Sequence, residues 1–471
     1  MKLGDGVVVS RRNLCYVLLF SERSYMKRIG ISLSNINRKM FFALLLMGLC
    51  PAIYTTVRTF LIGQLPGDYA FSIAGQLSWV NLFYEVLSEA IVLPLYFFMG
   101  RALHDKKEFE NRARTGLLTA FIIYVICSAL TMCFIHPLLR FMAVDATIIP
   151  ESATYIQIEC VANVFGILYS FITVVLITVG KEKSVYVLTG AKVLLSIVLD
   201  VFMVSTLSVS LDLGINGIGY SNIIANIVLL SVAAVLLRRS GYRIFKKEKM
   251  SFGWMREFAK VGGISGLESF VRNFAYIMMV SRMVNMVSEQ GTYWVANNFI
   301  WGWMLLPILQ LGELIKHEIS RDEKAIRNNS LGYFAITGIV VLLWVVLIPA
   351  YKPFMTYALG YGDVDKLFGL VMLLFGFYIL FAIQNVFDMT FYGCGKTSYM
   401  LLESVVTNSV YYGIFFVLYL TGVWVPSLTS IALMFGAGNA FDAVVSGIVY
   451  AYMLKKKKIN IWKVEKAISA V

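Results

Sequence analysis

Twelve apolar runs, each long enough to cross a bilayer, decide what this chain can fold into. They cover residues 41–63, 77–99, 116–139, 154–178, 185–207, 214–237, 261–285, 292–315, 330–350, 366–394, 399–422 and 428–453. About 20 apolar residues in a helix span the hydrocarbon core of a membrane. Backbone N–H and C=O groups find no water there, so each run must pair them internally and is expected to be helical. Composition agrees, with 59% apolar and 15% charged residues, against roughly a quarter charged in soluble domains. The expectation is an all-α integral membrane protein of 12 transmembrane helices.

The charges set the expected orientation. Of 41 Lys and Arg residues, 34 fall in segments that would share one side, and only Arg140, Lys352 and Lys366 fall on the other. Arg58, Lys192, Arg272 and Arg282 lie inside runs. Basic residues stay cytoplasmic, so both termini are expected inside, in a multi-pass protein of the plasma membrane. The same asymmetry accounts for the net charge of +13 without nucleic acid as a partner. The lysines at 455–458 read as a stop signal at the membrane surface. Arg11 and Arg12 precede an apolar piece, Asn13 to Phe20, too short to span and followed by no small-residue cleavage site. Residues 1–25 read as a disordered or misassigned extension, with Met26 the better start.

Short motifs recur at nearly one offset. Val57-Arg58-Thr59-Phe60 returns as Val271-Arg272-Asn273-Phe274, Trp79-Val80 as Trp294-Val295, and Gly180-Lys181 as Gly395-Lys396. Pro94 and Pro307 are similarly related. Two pseudo-symmetric six-helix bundles follow, related by an axis along the membrane normal, with the substrate path between them. The expected organisation is a cytoplasmic N-terminal segment (1–39), a first half (40–237), a basic linker (238–260), a second half (261–454) and a basic tail (455–471).

A charge at the centre of a bilayer costs roughly 2.5–3.5 kcal/mol on insertion scales, so it is paired or faces water. Arg58 and Arg272 hold equivalent places in the two halves. Glu268 precedes Arg272 by one turn, and Glu85 is expected to reach Arg58, with Glu89 one turn further along. These groups are either ion pairs that hold helices together or sites for a coupling ion. The coupling-ion candidates are Glu268, Glu85, Glu89 and Asp200. Arg58, Arg272, Asn273 and Asp388 are candidates for the electrostatics of the cleft and for substrate contact. Asp200, Asp388 and Asp442 read as lone carboxylates, and Glu159, Arg282, Glu313 and Glu403 as solvated groups near helix ends. Pro51, Pro94 and Pro307 lie inside runs and mark kinks.

Several functions are disfavoured. None of the six cysteines forms a C-x-x-C pair, and the three histidines lack metal-ligand spacing. Neither a disulfide framework nor a metal site is expected, and no cofactor beyond a coupling H⁺ or Na⁺. Gly214-Ile215-Asn216-Gly217-Ile218-Gly219 follows no strand, and no phosphate-binding Gly-Lys-Ser/Thr loop occurs. No constellation of a membrane enzyme is present.

The segment Val57-Arg58-Thr59-Phe60-Leu61-Ile62-Gly63-Gln64-Leu65-Pro66-Gly67 resembles the helix 1 exit of the MATE family of multidrug and toxic compound extrusion transporters, in the multidrug/oligosaccharidyl-lipid/polysaccharide flippase superfamily. Gly100-Arg101-Ala102-Leu103 through Arg114 resembles that family's helix 2–3 loop. Leu211-Asp212-Leu213-Gly214-Ile215-Asn216-Gly217-Ile218-Gly219 is similar to its helix 5–6 turn, with Asp200 matching a helix 5 aspartate. Tyr392-Gly393-Cys394-Gly395-Lys396-Thr397 is similar to its helix 10–11 junction. The resemblance implies two bundles in a V, and antiport of amphipathic organic compounds against H⁺ or Na⁺ by alternating access. It implies a small-molecule substrate, typically an organic cation; a monomer in the lipid bilayer is expected. Many members carry an aspartate where Arg58 stands, and some a glutamate near Arg272, where Glu268 would substitute. Arg58 cannot ligate a cation, and two arginines suit an anionic or zwitterionic compound better. A lipid-linked precursor flippase of the same superfamily is the nearest rival. A major facilitator transporter is disfavoured, because its Gly-x-x-x-Asp-Arg signature is missing after Gly100.

Overall fold

A computed structural model describes residues 26–65, 69–244 and 248–465, without the side chains of Leu93, Glu268 and Thr397. The proposed extension at 1–25 lies outside the described residues. The chain forms α1 (Arg38–Gly63), α2 (Ala70–Ala102), α3 (Lys106–Phe141), α4 (Ile149–Thr178), α5 (Glu182–Val204) and α6 (Asn216–Arg239). In the second half, α7 runs through Met255–Tyr276, a wide π turn at Ile277–Ser281, and Arg282–Met286. Next, α8 joins Gln290–Phe299, a π turn at Ile300–Met304, and Leu306–Arg321. Helices α9 (Ala325–Tyr357) and α10 (Val364–Gly393) follow. Last come α11 (Thr397–Val406, a π turn at Thr407–Tyr412, Gly413–Leu420) and α12 (Leu428–Lys456).

Among the described residues ten helices are long and apolar enough to cross a membrane, and eleven if the bent α8 counts as one span. The more polar α7 occupies the place of the remaining run. The two parts of α8 meet at 53°, where Pro307 starts the second part and cannot donate to the preceding turn. Pro51 and Pro94 lie inside α1 and α2. Caps fix other helix starts: Asp105 accepts from the backbone N–H of Lys107 and Glu108, and Ser427 and Ser430 form a reciprocal box. The five described cysteines are free thiols.

The halves repeat each other in packing. In the first, α4 packs against α2, α3 and α6; in the second, α10 packs against α8, α9 and α12. The turns after α4 and α10 use Gly180 and Gly395 at φ +74° and +65°, the left-handed cap that favours glycine. The halves meet where α2 packs on α7 and α1 on α8. Helices α1 and α7 are shared between bundles. Leu61 and Ile62 of α1 join the N-terminal core, while Met40, Phe41 and Leu44 pack with Leu311, Ile315 and Tyr333 of the second half. Conversely, Trp254 and Phe258, where α7 begins, join the N-terminal core, and Met279, Val280 and Met283 join the C-terminal one.

The linker is docked on the first turns of α3, which begins within the stretch expected as a loop. Asn111 accepts from the Ser251 N–H and donates to the Ser251 carbonyl, both at 2.9 Å. Arg114 donates to the Ile244 carbonyl and to Glu248. At the face opposite the basic loops, Gln76 of α2 and Asn285 of α7 exchange amide hydrogen bonds of 2.8 and 3.1 Å, and Asn285 also donates to the Met142 carbonyl. Both side chains are buried.

The α2–α7 contact depends on small residues. A β-carbon at Gly262 would run into the Ala90 carbonyl oxygen, and one at Gly266 would meet the Ala90 side chain at 2.9 Å. Gly262→Leu is expected to lower thermal stability in detergent by the equivalent of about 1–3 kcal/mol of overpacking; an unchanged melting temperature would show that the helices do not touch there.

Candidate functional site

Inside the first bundle, Arg58 of α1 lies over the Tyr54 ring, with 4.5 Å from the guanidinium carbon to the ring centroid. Its Nε donates to Asp200 Oδ2 at 2.9 Å, and its Nη2 to Asp200 Oδ1 at 3.2 Å and to Asn222 Oδ1 at 2.9 Å. Asn222, on α6, donates in turn to Glu159 Oε1 at 2.7 Å. Four helices thus converge on one chain of polar contacts. Asp200 is almost fully enclosed, at 1% exposure. Arg58 meets this aspartate of α5 rather than Glu85. Glu159 is buried, which corrects the expectation of a solvated group. The fixed fork of the guanidinium satisfies both carboxylate oxygens, a geometry that a lysine could not supply.

Lys192 lies on the same stripe of α5, two turns before Asp200. Its ammonium is 5.4 Å from the centroid of the Tyr169 ring. Between the bundles, Arg272 Nη2 donates to both oxygens of Glu89, at 2.8 and 3.0 Å. Glu85 stands one turn before Glu89 on α2, and Asn273 donates to Ser269. The side chain of Glu268 is outside the described residues, so its place relative to Arg272 is not assigned.

The second bundle holds a different site. Asp388 of α10 accepts from Ser446 at 3.0 Å and from Gln384 at 3.2 Å. Asp442 of α12 accepts from the same Gln384 and from Thr407, both at 2.6 Å. Glu403 of α11 neighbours both aspartates. It too is buried, against the solvated place expected for it, and its Oε1 has no hydrogen-bond partner. Thr407 opens the π turn of α11; such turns often occur at functional sites because they redirect a side chain. Among the described residues no Lys, Arg or His forms an ion pair with any of the three carboxyl groups. No group of three or more His, Cys, Asp or Glu side chains there is arranged to hold a metal ion.

Sequence reasoning singled out Arg58, Asp200, Arg272, Glu89 and Asp388, but not Lys192, Asn222, Gln384, Glu403, Thr407 or Ser446 as members of these sites. One signal was available. Gln384 with Asp388, and Asp442 with Ser446, stand four residues apart, on single helix faces.

Two helical bundles thus meet along paired helices, each with a polar cluster among its helices. Residues 43–202 match the MatE family. The chain as a whole has the fold of the MATE transporters of the MOP superfamily. An inward-facing multidrug resistance MATE transporter of that superfamily superposes with a TM-score of 0.74 at 17% identity, over 86% of this chain and 95% of that one. An outward-facing structure of such a transporter gives 0.65 at 16%, over 91% and 98%. A MOP superfamily transporter from Pyrococcus furiosus gives 0.66 at 17%, over 92% and 99%; a reverse polarity of its binding pocket is said to suggest a different function. Comparison with curated protein sequences gave no match.

Removing one partner of a buried ion pair leaves an uncompensated charge, which costs on the order of 3–5 kcal/mol. Arg58→Met is therefore expected to destabilise the protein strongly, and Arg58→Met with Asp200→Leu to recover most of the loss, read by thermal unfolding in detergent. A single variant as stable as the parent would mean that Asp200 has another partner.

Proposed function

We propose that the protein is an efflux antiporter of the plasma membrane, exporting amphipathic organic compounds as H⁺ or Na⁺ enters, by alternating access between the bundles. The observation that carries this reading is the set of Asp388, Asp442 and Glu403. Asp388 and Glu403 are buried and Asp442 is half-buried; Gln384 donates to both aspartates, and none of the three carboxyl groups has a basic partner among the described residues. Uncompensated like charges in a low-dielectric interior are unfavourable, so uptake of a proton or a small cation relieves the site. The likeness to transporters solved in both inward- and outward-facing states supports two arrangements of one fold.

Among the carboxyl groups whose side chains are described, so apart from Glu268, coupling is proposed at Asp388 and Asp442, ahead of Glu85, Glu89 and Asp200. Glu89 and Asp200 are already engaged by Arg272 and Arg58, and releasing either would leave an arginine charge at membrane depth. A change in cation occupancy at Asp388 and Asp442 alters the contacts of Gln384 and Thr407, and so the packing of α10, α11 and α12. That supplies the differential interaction that any ligand-driven change of state requires. The Pyrococcus furiosus relative shows that pocket polarity differs within this fold, and Arg58 gives the present chain a basic group in helix 1.

In proteoliposomes with an imposed proton or sodium gradient, Asp388→Asn and Asp442→Asn are expected to abolish gradient-driven dye export while leaving equilibrium dye binding in place. The gradient that drives the parent protein identifies the ion. Export that is unchanged in both variants would move coupling elsewhere, and dye movement indifferent to either gradient would remove the antiport reading.

A further inference from the structure

Four basic residues lie inside the apolar runs, and they differ in what their donors do. Arg58 is held by Asp200 and Asn222. Arg272 is held by Glu89. Arg282 donates to the Phe141 carbonyl near the end of α3. Lys192 makes no hydrogen bond and no ion pair among the described residues; its ammonium lies against the face of Tyr169.

Lys192 is the eleventh residue of the 23-residue α5, so it stands roughly 15 Å or more from either end. A lone ammonium at that depth is among the most unfavourable groups a membrane helix can carry. It is half-buried rather than enclosed, and Tyr169 holds it by a cation–π contact, which uses none of its three N–H donors. Ser196 and Asp200 follow at one-turn intervals on the same stripe. Arg58 and Tyr54 close the far end of that stripe, about 12 Å along the axis. Asp200 is saturated by Arg58, so it does not neutralise Lys192.

We propose that Lys192 binds the anionic group of the transported compound, a carboxylate or sulfonate on an aromatic frame, with Tyr169 beside it. The inference rests on the reading of this chain as a transporter and names its substrate class. It reverses the organic-cation expectation drawn from family resemblance. The arrangement separates the two ligands: an anionic substrate in the first bundle and the coupling cation at the carboxyl groups of the second. A hydrogen bond to a charged group is worth roughly tenfold to a hundredfold in affinity.

The test is equilibrium binding of fluorescein and of ethidium to the detergent-purified full chain, read by fluorescence anisotropy. The parent protein should bind fluorescein in preference to ethidium. Lys192→Gln should weaken fluorescein binding tenfold or more, and Lys192→Arg should retain most of it. Ethidium binding should not respond to either change. Thermal unfolding of both variants separates a lost site from a lost fold, and the arginine variant keeps the test usable if the glutamine variant does not fold. Equal fluorescein affinity in a folded Lys192→Gln, a preference for ethidium, or binding of neither dye by the parent overturns the proposal. Fluorescein binding that depends on Lys192, without gradient-driven export in proteoliposomes, would leave the site standing and remove the exporter reading.

Discussion

Charge held in hydrocarbon has to be matched, and that constraint orders the interior of this protein. In the first bundle the match is made by geometry. The Arg58 guanidinium meets both oxygens of Asp200 and one of Asn222, which in turn donates to Glu159. In the second it is made by neutral donors alone, with Gln384 shared between Asp388 and Asp442. The Arg58–Asp200 pair of the first arrangement is matched within itself. The second has no basic partner among the described residues, and the proposed coupling rests on that difference.

The architecture links these clusters mechanically. Each of α1 and α7 contributes one end to each bundle. The helices that carry Arg58 and Arg272 are therefore packed into both bundles. At the face away from the basic loops, the bundles are joined by Gln76 and Asn285 and by the donation from Gln290 to the Gly75 carbonyl. These are neutral amide contacts, each of modest net worth, and so suited to breaking and reforming. Near the other end, glycines let α2 and α7 approach closely.

Much of the fold was legible because lipid imposes one helical solution on any long apolar run. The paired Gly180 and Gly395 turns and the positions of Arg58 and Arg272 were visible as repeats. Partners were not. Arg58 was expected at Glu85 and is found at Asp200, because the choice follows from the packing of α1 on α5, which periodicity does not encode. Glu159 looked terminal because its apolar run begins at 154, but α4 starts at Ile149 and carries the residue into the interior. Glu403 is only the seventh residue of α11, and the packing of α11 on α12 encloses it. Asp388 and Asp442 looked solitary since the residues that join them, Gln384, Thr407 and Ser446, are unremarkable polar groups on three helices. In α7 the run holds Glu268, Arg272 and several small polar residues, and the helix is too polar to pass as an apolar span.

Alternating access, as proposed, requires the bundles to part at the Gln76–Asn285 face. The direct measurement is dye transport by a Gln76→Cys/Asn285→Cys variant, in a background with the native cysteines replaced, before and after oxidation. Transport that stops on oxidation and returns on reduction is the predicted result. A confirmed disulfide with transport unimpaired would show that this face never opens, and would contradict the account.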